Sequence, residues 1–238
     1  MQKVINIEEL PYKELFTKTG MGHKIYILSN GLKYKEYNQN DPSFTKQPYN
    51  RELVQSLKEQ VNMTSSVVSF PISIVKDNKR LIGNISHFEE GTPLEEIDEQ
   101  IKLDLLLPEI YKAELEIERL SQEGWILDDI NSKNIIINNK DNHLTFKIID
   151  TDYYIRRTEL SYKEIIEQNR AQLISALIAA LIPNIAISKI MKDKRIYNNY
   201  LLAINGKMHP VDFLYEIINT LSKKEEIDTV LSLRKNIS

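Results

Sequence analysis

The chain has 238 residues and a mass of 27.8 kDa, above the roughly 150 residues of a common single domain and short of two. A hydrophobic fraction of 42% and a charged fraction of 27% exclude disordered and collagen-like chains, and a formal charge of -3 offers no bulk basic field for nucleic-acid phosphates. The absence of cysteine excludes disulfides, thiolate metal sites and cysteine nucleophiles. Acidic residues stand where a secretory signal needs its apolar core, and the longest apolar run, residues 173–182, falls short of the roughly 20 residues that span a bilayer. These features predict a soluble, cytoplasmic protein that neither inserts into membranes nor binds nucleic acid.

In chain order, the first predicted element is a hairpin. Residues 24–28 and 32–37 read as strands around Ser29-Asn30-Gly31, because Asn-Gly supplies the positive φ angles of a type I′ turn. After Pro48, Leu53, Leu57 and Val61 recur every four residues and predict a helix. Residues 67–75 and 80–88, rich in β-branched side chains and separated by Asp77-Asn78, predict a second antiparallel pair. Beyond Gly91-Thr92-Pro93 the pattern turns helical over 94–107 and 109–123, the latter with Ile110, Ala113, Ile117 and Leu120 on one stripe and Gly124 as its stop. Short strands are expected at 126–127, 135–137 and 146–149, and helix from Tyr162 onward, where Leu173, Leu177, Ala180 and Leu181 form a core stripe. This order predicts an α+β, two-lobed fold, with a β-rich N-terminal lobe over 1–88 and a helical C-terminal lobe over 89–238.

The chemistry concentrates in Leu127-Asp128-Asp129-Ile130-Asn131-Ser132-Lys133-Asn134 and in Ile148-Ile149-Asp150-Thr151-Asp152. An acid, an amide five residues on, an apolar strand, and a second acid ending another apolar strand can build a metal-nucleotide site from two loops. Mg²⁺ takes oxygen ligands and keeps several waters, so one carboxylate and one amide oxygen suffice from the protein. Phosphoryl transfer needs a further carboxylate to orient the acceptor hydroxyl. Asp129, Asn134 and Asp150 supply that set. The bland alternative for the first loop is a polar turn between strands.

These segments resemble the protein-kinase-like superfamily, whose catalytic loop reads H-R-D-x-x-x-x-N and whose metal loop begins with D-F-G. The resemblance places Asp129 as the catalytic Asp that orients the acceptor hydroxyl, and Asn134 and Asp150 as Mg²⁺ ligands. It places Gly20 and Gly22 in a loop over the nucleotide phosphates, and Lys35, or Lys33 on the same strand face, as the nucleotide-contacting lysine. Glu52 or Glu59 would pair with that lysine, residues 86–91 would form a hinge reading adenine, and Ile136 would pack beneath the base. It implies ATP and Mg²⁺ as cofactors and a protein or small-molecule phosphoacceptor as partner. Leu127-Asp128 in place of His-Arg, Asn131 in place of a lysine, Thr151-Asp152 in place of Phe-Gly, and the missing A-P-E segment depart from the pattern. Aminoglycoside- or choline-kinase-like enzymes are the nearest alternative, and a pseudokinase acting as a nucleotide- or protein-binding module is the alternative of a different class. The four scattered histidines do not have zinc-ligand spacing, no G-x-S-x-G elbow occurs, and Lys189, Lys192, Lys194 and Arg195 read as a solvated face.

Overall fold

A computed structural model describes residues 4–10, 13–18, 22–28, 31–40, 47–141, 143–182, 192, 194–221 and 227–237. The chain forms a mixed α+β structure, β-rich toward its N-terminus and helical toward its C-terminus. It divides into one unit of residues 1–89 with 150–155, and another of 90–149 with 156–238. Asp150–Ile155 thus belongs with the N-terminal unit, whereas the sequence boundary at residue 88 assigns it to the C-terminal lobe. The reason is a set of side-chain bonds described below.

Among the described residues, the first unit holds a six-stranded sheet. Its strands are β1 (Val4–Asn6), β2 (Lys13–Lys18), β3 (Lys24–Leu28), β4 (Leu32–Glu36), β5 (Ser73–Asp77) and β6 (Arg80–His87), in the order β1-β5-β6-β4-β3-β2. The expected hairpin is present as β3 and β4, with Ser29 and Asn30 outside the described residues. The second pair is also present, shortened at its start to Ser73. β1 pairs in parallel with β5, and β2 adds to β3; neither strand was expected from their weakly patterned sequences.

Because side chains alternate along a strand, the sheet has two differently filled faces. On one, Ile74 and Leu81 pack with Tyr37 and with Leu53 and Leu57 of helix α1 (Gln47–Gln60). On the other, Tyr34, Val75, Ile82 and Ile85 cluster with Leu28. Tyr34 therefore faces away from α1, and Lys33 and Lys35 share the opposite parity.

In the second unit, β7 (Thr92–Pro93) pairs with β9 (Ile135–Lys140), which pairs with β10 (His143–Ile148). The two helices expected at 94–107 and 109–123 are corrected to one, α2 (Leu103–Gln122), which runs through Pro108. Residues 99–102, just before the helix, bond to chain from the C-terminus: the Leu231 N–H donates to the Glu99 carbonyl (2.8 Å), and the N–H of Leu103, the first helical residue, to the Asp228 carbonyl (2.8 Å). Ile110, Ala113, Ile117 and Leu120 are fully buried, as their stripe requires, and Gly124 follows the helix at φ +87°, the left-handed conformation a stop glycine adopts. A short strand, β8 (Trp125–Leu127), follows. The long apolar helix α3 (Tyr162–Leu181) begins with a capping box in which Ser161 and Glu164 satisfy each other's backbone N–H groups, and Leu173, Leu177, Ala180 and Leu181 are buried. Helices α4 (Lys194–Ile204), α5 (Pro210–Leu221) and α6 (Val230–Ile237) complete the described part of the unit. Among the described residues no helix is long and apolar enough to cross a membrane.

Gly83 shows how closely β6 approaches β4. A Cβ there would lie 2.2 Å from the Lys35 carbonyl oxygen and 2.6 Å from the Tyr34 ring. Gly83→Ala is therefore expected to destabilise the fold by about 2–3 kcal/mol through overpacking. A urea titration with an unchanged midpoint would contradict this.

Candidate functional site

Strand register brings the first unit's polar residues together. Lys35 on β4 lies directly opposite Asn84 on β6, so the two side chains share a face, and Tyr37 follows on the same face two residues on. Into this face comes Asp150–Ile155. The Lys35 ammonium lies 2.5 Å from Asp150 Oδ1 and 2.7 Å from Asp152 Oδ2. The Tyr37 hydroxyl (2.9 Å) and Asn84 Nδ2 (2.7 Å) both donate to Asp152 Oδ1. Lys35 is 3% exposed and Asp152 4%, so this is a buried charged network compensated by ion pairs and by the hydrogen bonds to Asp152 Oδ1.

Burial disfavours charge on Lys35, yet the carboxylates of Asp152 and Asp150 outweigh it and hold the ammonium above the usual lysine range. Burial likewise pushes the Asp150 carboxyl up, and the Lys35 charge pulls it below the usual carboxylate range.

Asp150 is left-handed, at φ 63° and ψ 62°. This conformation is uncommon for a residue with a side chain, and Asp tolerates it better than most. The turn Thr151–Tyr153 that follows is fixed to α1. The Thr151 hydroxyl donates to Gln60 Oε1 (2.5 Å), Gln60 Nε2 returns a bond to the Thr151 carbonyl (3.0 Å), and the Ser56 hydroxyl donates to the Tyr154 carbonyl. Ser56 and Gln60 are one helical turn apart, so both point at the same segment.

The expected glutamate partners do not take this place. Glu52 is exposed, and the half-buried Glu59 accepts from Gln55 at 2.7 Å; the ion-pair partners of Lys35 are Asp150 and Asp152. The cause is helical phase, because the inward positions of α1 are Leu53, Ser56, Leu57 and Gln60. Of the glycine loop, Gly20 lies outside the described residues. Gly22, at φ +78°, abuts Asn38, whose backbone N–H donates to Nδ1 of the buried His23 (2.9 Å).

In the second unit, Asp129 also adopts a left-handed backbone, at φ 70°. Asn131 Nδ2 donates to Asp129 Oδ1 (2.7 Å), and Asn134 Nδ2 to Asp129 Oδ2 (3.1 Å) and carbonyl (3.0 Å). Asn131 Oδ1 accepts from the backbone of Lys133 and Asn134, closing the turn. Asn134 Oδ1 makes no hydrogen bond among the described residues, and the Asn134 carbonyl accepts from Ile149 N–H at 2.8 Å. Ile136 is buried on β9 opposite Pro93 and Lys147.

Two α3 residues fasten this loop. Buried Asn169 accepts from the Leu127 N–H (2.8 Å) and donates to the Trp125 carbonyl and Ser121 hydroxyl, while Gln172 accepts from the Ile130 N–H (3.1 Å) and donates to Asp128 (3.0 Å). Asp128 is thus a fastening residue, distinct from exposed Asp129. Sequence reasoning missed Asp152, Asn84, Tyr37, Gln60 and Gln172. The available signal was parity on β4, which puts Tyr37 on the face of Lys35; Asp150 and Asp152 stand in a turn, where strand alternation gives no such signal.

Asp150 in the first unit offers a carboxylate and Asn134 in the second an amide oxygen, each by itself a hard oxygen donor of the type Mg²⁺ takes. Among the described residues no group of three or more His, Asp or Glu side chains gathers to hold a metal by protein ligands alone.

Breaking a buried ion network by deleting one partner leaves the others uncompensated, at a cost of about 3–5 kcal/mol. Lys35→Met is therefore expected to unfold at lower denaturant concentration by about that amount, rather than to lose turnover with the fold intact. Because Asp150's folded-state carboxyl lies below its ordinary value, its contribution is present at neutral pH and is lost as pH falls through that lowered value. Acid unfolding followed by circular dichroism should show stability declining below about pH 4. Asp150→Asn should flatten that decline.

The sequence matches no model of a known protein family and no curated protein.

Proposed function

We propose that the chain has a kinase-like fold and is an ATP- and Mg²⁺-dependent phosphotransferase acting on a hydroxyl of a protein or small-molecule acceptor. The observation that carries this reading is the ion pair between Lys35 and Asp150, residues 115 apart in sequence. The resemblance assigned them to one nucleotide site from short motifs alone, and a merely polar turn gives no reason for a strand lysine to meet that aspartate. The left-handed Asp150 and the closed Asp129–Asn134 turn support the same reading, since unusual backbone conformations concentrate at functional sites.

In this reading the Asp150 carboxylate would be a ligand of Mg²⁺, whose charge would neutralise the phosphates of ATP, and Asn134 is the other ligand that the resemblance implies. Lys35 holds the Asp150 carboxylate in one orientation. Asp129, exposed and with its carboxylate oriented by two amides, accepts the proton of the acceptor hydroxyl. One observation favours the pseudokinase alternative: both Asp129 oxygens already carry an intramolecular hydrogen bond.

Two variants separate these readings. Asp150→Ala is expected to weaken Mg-ATP binding by about tenfold or more while leaving nucleotide binding in EDTA unchanged, measured by calorimetry. Asp129→Asn should bind Mg-ATP like the parent and transfer phosphate about a hundredfold more slowly or worse, the mark of a group used in the transition state. A parent protein that binds Mg-ATP yet transfers phosphate to no protein, aminoglycoside or choline-type acceptor would replace the enzyme with the binding module.

A further inference from the structure

Helices α2 and α5 of the second unit form the walls of a cavity of about 570 Å³, within the size range of small-molecule clefts. Its lining is largely apolar and aromatic, with Pro108 and Tyr111 from α2 and Val211 and Tyr215 from α5, and the two tyrosines are 51% and 47% exposed. Two carboxylates also line it, Glu114 on α2 and the exposed Asp212 on α5. None of the residues proposed for phosphoryl transfer borders this cavity, and its reading does not rest on that proposal.

Glu114 is 1% exposed, an uncommon burial for a carboxylate. Its Oε1 is paired with His209 Nδ1 and lies 3.7 Å from Arg170 Nε. Its Oε2 is buried and meets no hydrogen-bond donor among the described residues. Burial pushes this carboxyl above the usual carboxylate range, and His209, Arg170 and the Val211 N–H offset only part of that effect. A buried carboxylate oxygen without a donor carries a free-energy cost that folds ordinarily avoid.

The surrounding charges decide which ligand fits. Arg170, 3.2 Å from the His209 ring, repels a second cation, but it is engaged on the Oε1 side and is not part of the lining. Against its single charge stand Glu114 and Asp212, so the cavity keeps a negative excess. An anion would face both carboxylates, and a neutral apolar molecule would leave Oε2 unmatched. A cation bearing N–H groups gives Oε2 its donor, and tyrosine faces attract both the cation and an apolar stem.

We propose that this cavity binds a small organic amine, with its ammonium at Glu114 and its apolar body against Tyr111 and Tyr215. Oε2 is closed to solvent, so a lining side chain must shift to admit the ammonium. His209, exposed and bonded to the same carboxylate, is the side chain placed to do so.

Calorimetry with three probes that share one apolar body tests this: phenylbutylamine, phenylbutanol and phenylbutyl-trimethylammonium. The amine is expected to bind about tenfold or more tightly than the alcohol, which lacks the charge, and than the trimethylammonium, which cannot donate a hydrogen bond. Glu114→Gln is expected to erase the preference for the amine over the alcohol. A parent that binds the amine no better than the alcohol overturns the proposal, as does a Glu114→Gln protein that keeps the preference. Should Glu114→Gln not fold, Asp212→Lys at its exposed position decides the matter. A loss of about tenfold for the amine with the alcohol unchanged supports the proposal, and unchanged amine binding overturns it. A short arginine-containing peptide that binds about tenfold tighter than the amine, through Glu114, would give the cavity to a partner protein's side chain and overturn the small-molecule assignment.

Discussion

A lysine ammonium buried to 3% exposure is the constraint around which the N-terminal unit is arranged. An unpaired charge in that position would be expelled or neutralised, so the fold must bring opposite charge to it. Asp150 and Asp152 meet that requirement, and their spacing of two residues lets both carboxylates reach one ammonium across a tight turn. The remaining oxygen of Asp152 then needs donors, which Tyr37 and Asn84 provide from the same sheet face. The demands of one buried cation thus account for the polar residues on three segments and for the return of residues 150–155 to this unit.

Helix α1 takes a different part from the one its glutamates suggest. Its inward face carries Leu53 and Leu57 for the core and Ser56 and Gln60 for the turn after Asp150. Gln60 both donates to and accepts from Thr151, so α1 holds the turn by neutral hydrogen bonds, beside the ion pairs that Asp150 and Asp152 make with Lys35. Lys35 is consequently positioned without help from a helix carboxylate. Neutral amide bonds do not depend on salt or on protonation of a glutamate, so the part of this attachment that α1 supplies is insensitive to both.

The Asp129 turn in the second unit is ordered by amides throughout. Asn131 and Asn134 fix the carboxylate, and Asn169 and Gln172 of α3 satisfy backbone N–H groups before and after Asp128-Asp129. Buried Asn169 bridges the backbone of β8 and the hydroxyl of Ser121 on α2, so the loop is referenced to two core helices. A carboxylate held this way keeps its orientation without a cation beside it. That is a suitable condition for a group whose proposed task is to accept a proton.

Local sequence determined what depends on neighbours in the chain. Alternation placed β3, β4 and β6, four-residue spacing placed the buried stripe of α2 and the core face of α1, and a glycine stopped α2 where the helix could not continue. The acid and amide spacing marked Asp129, Asn134 and Asp150 as chemically unusual before any fold was known. Tertiary structure alone decided the rest. Where α2 began was set with chain more than 120 residues later, which bonds to Glu99 and Leu103, and β1 and β2 exist because sheet edges were open to them. The partner of Lys35 could not be read from sequence, because the choice between a helix glutamate and Asp152 rests on helical phase, strand parity and the cost of leaving a buried charge unmatched. Those quantities belong to three-dimensional packing, and no one segment of the chain contains them.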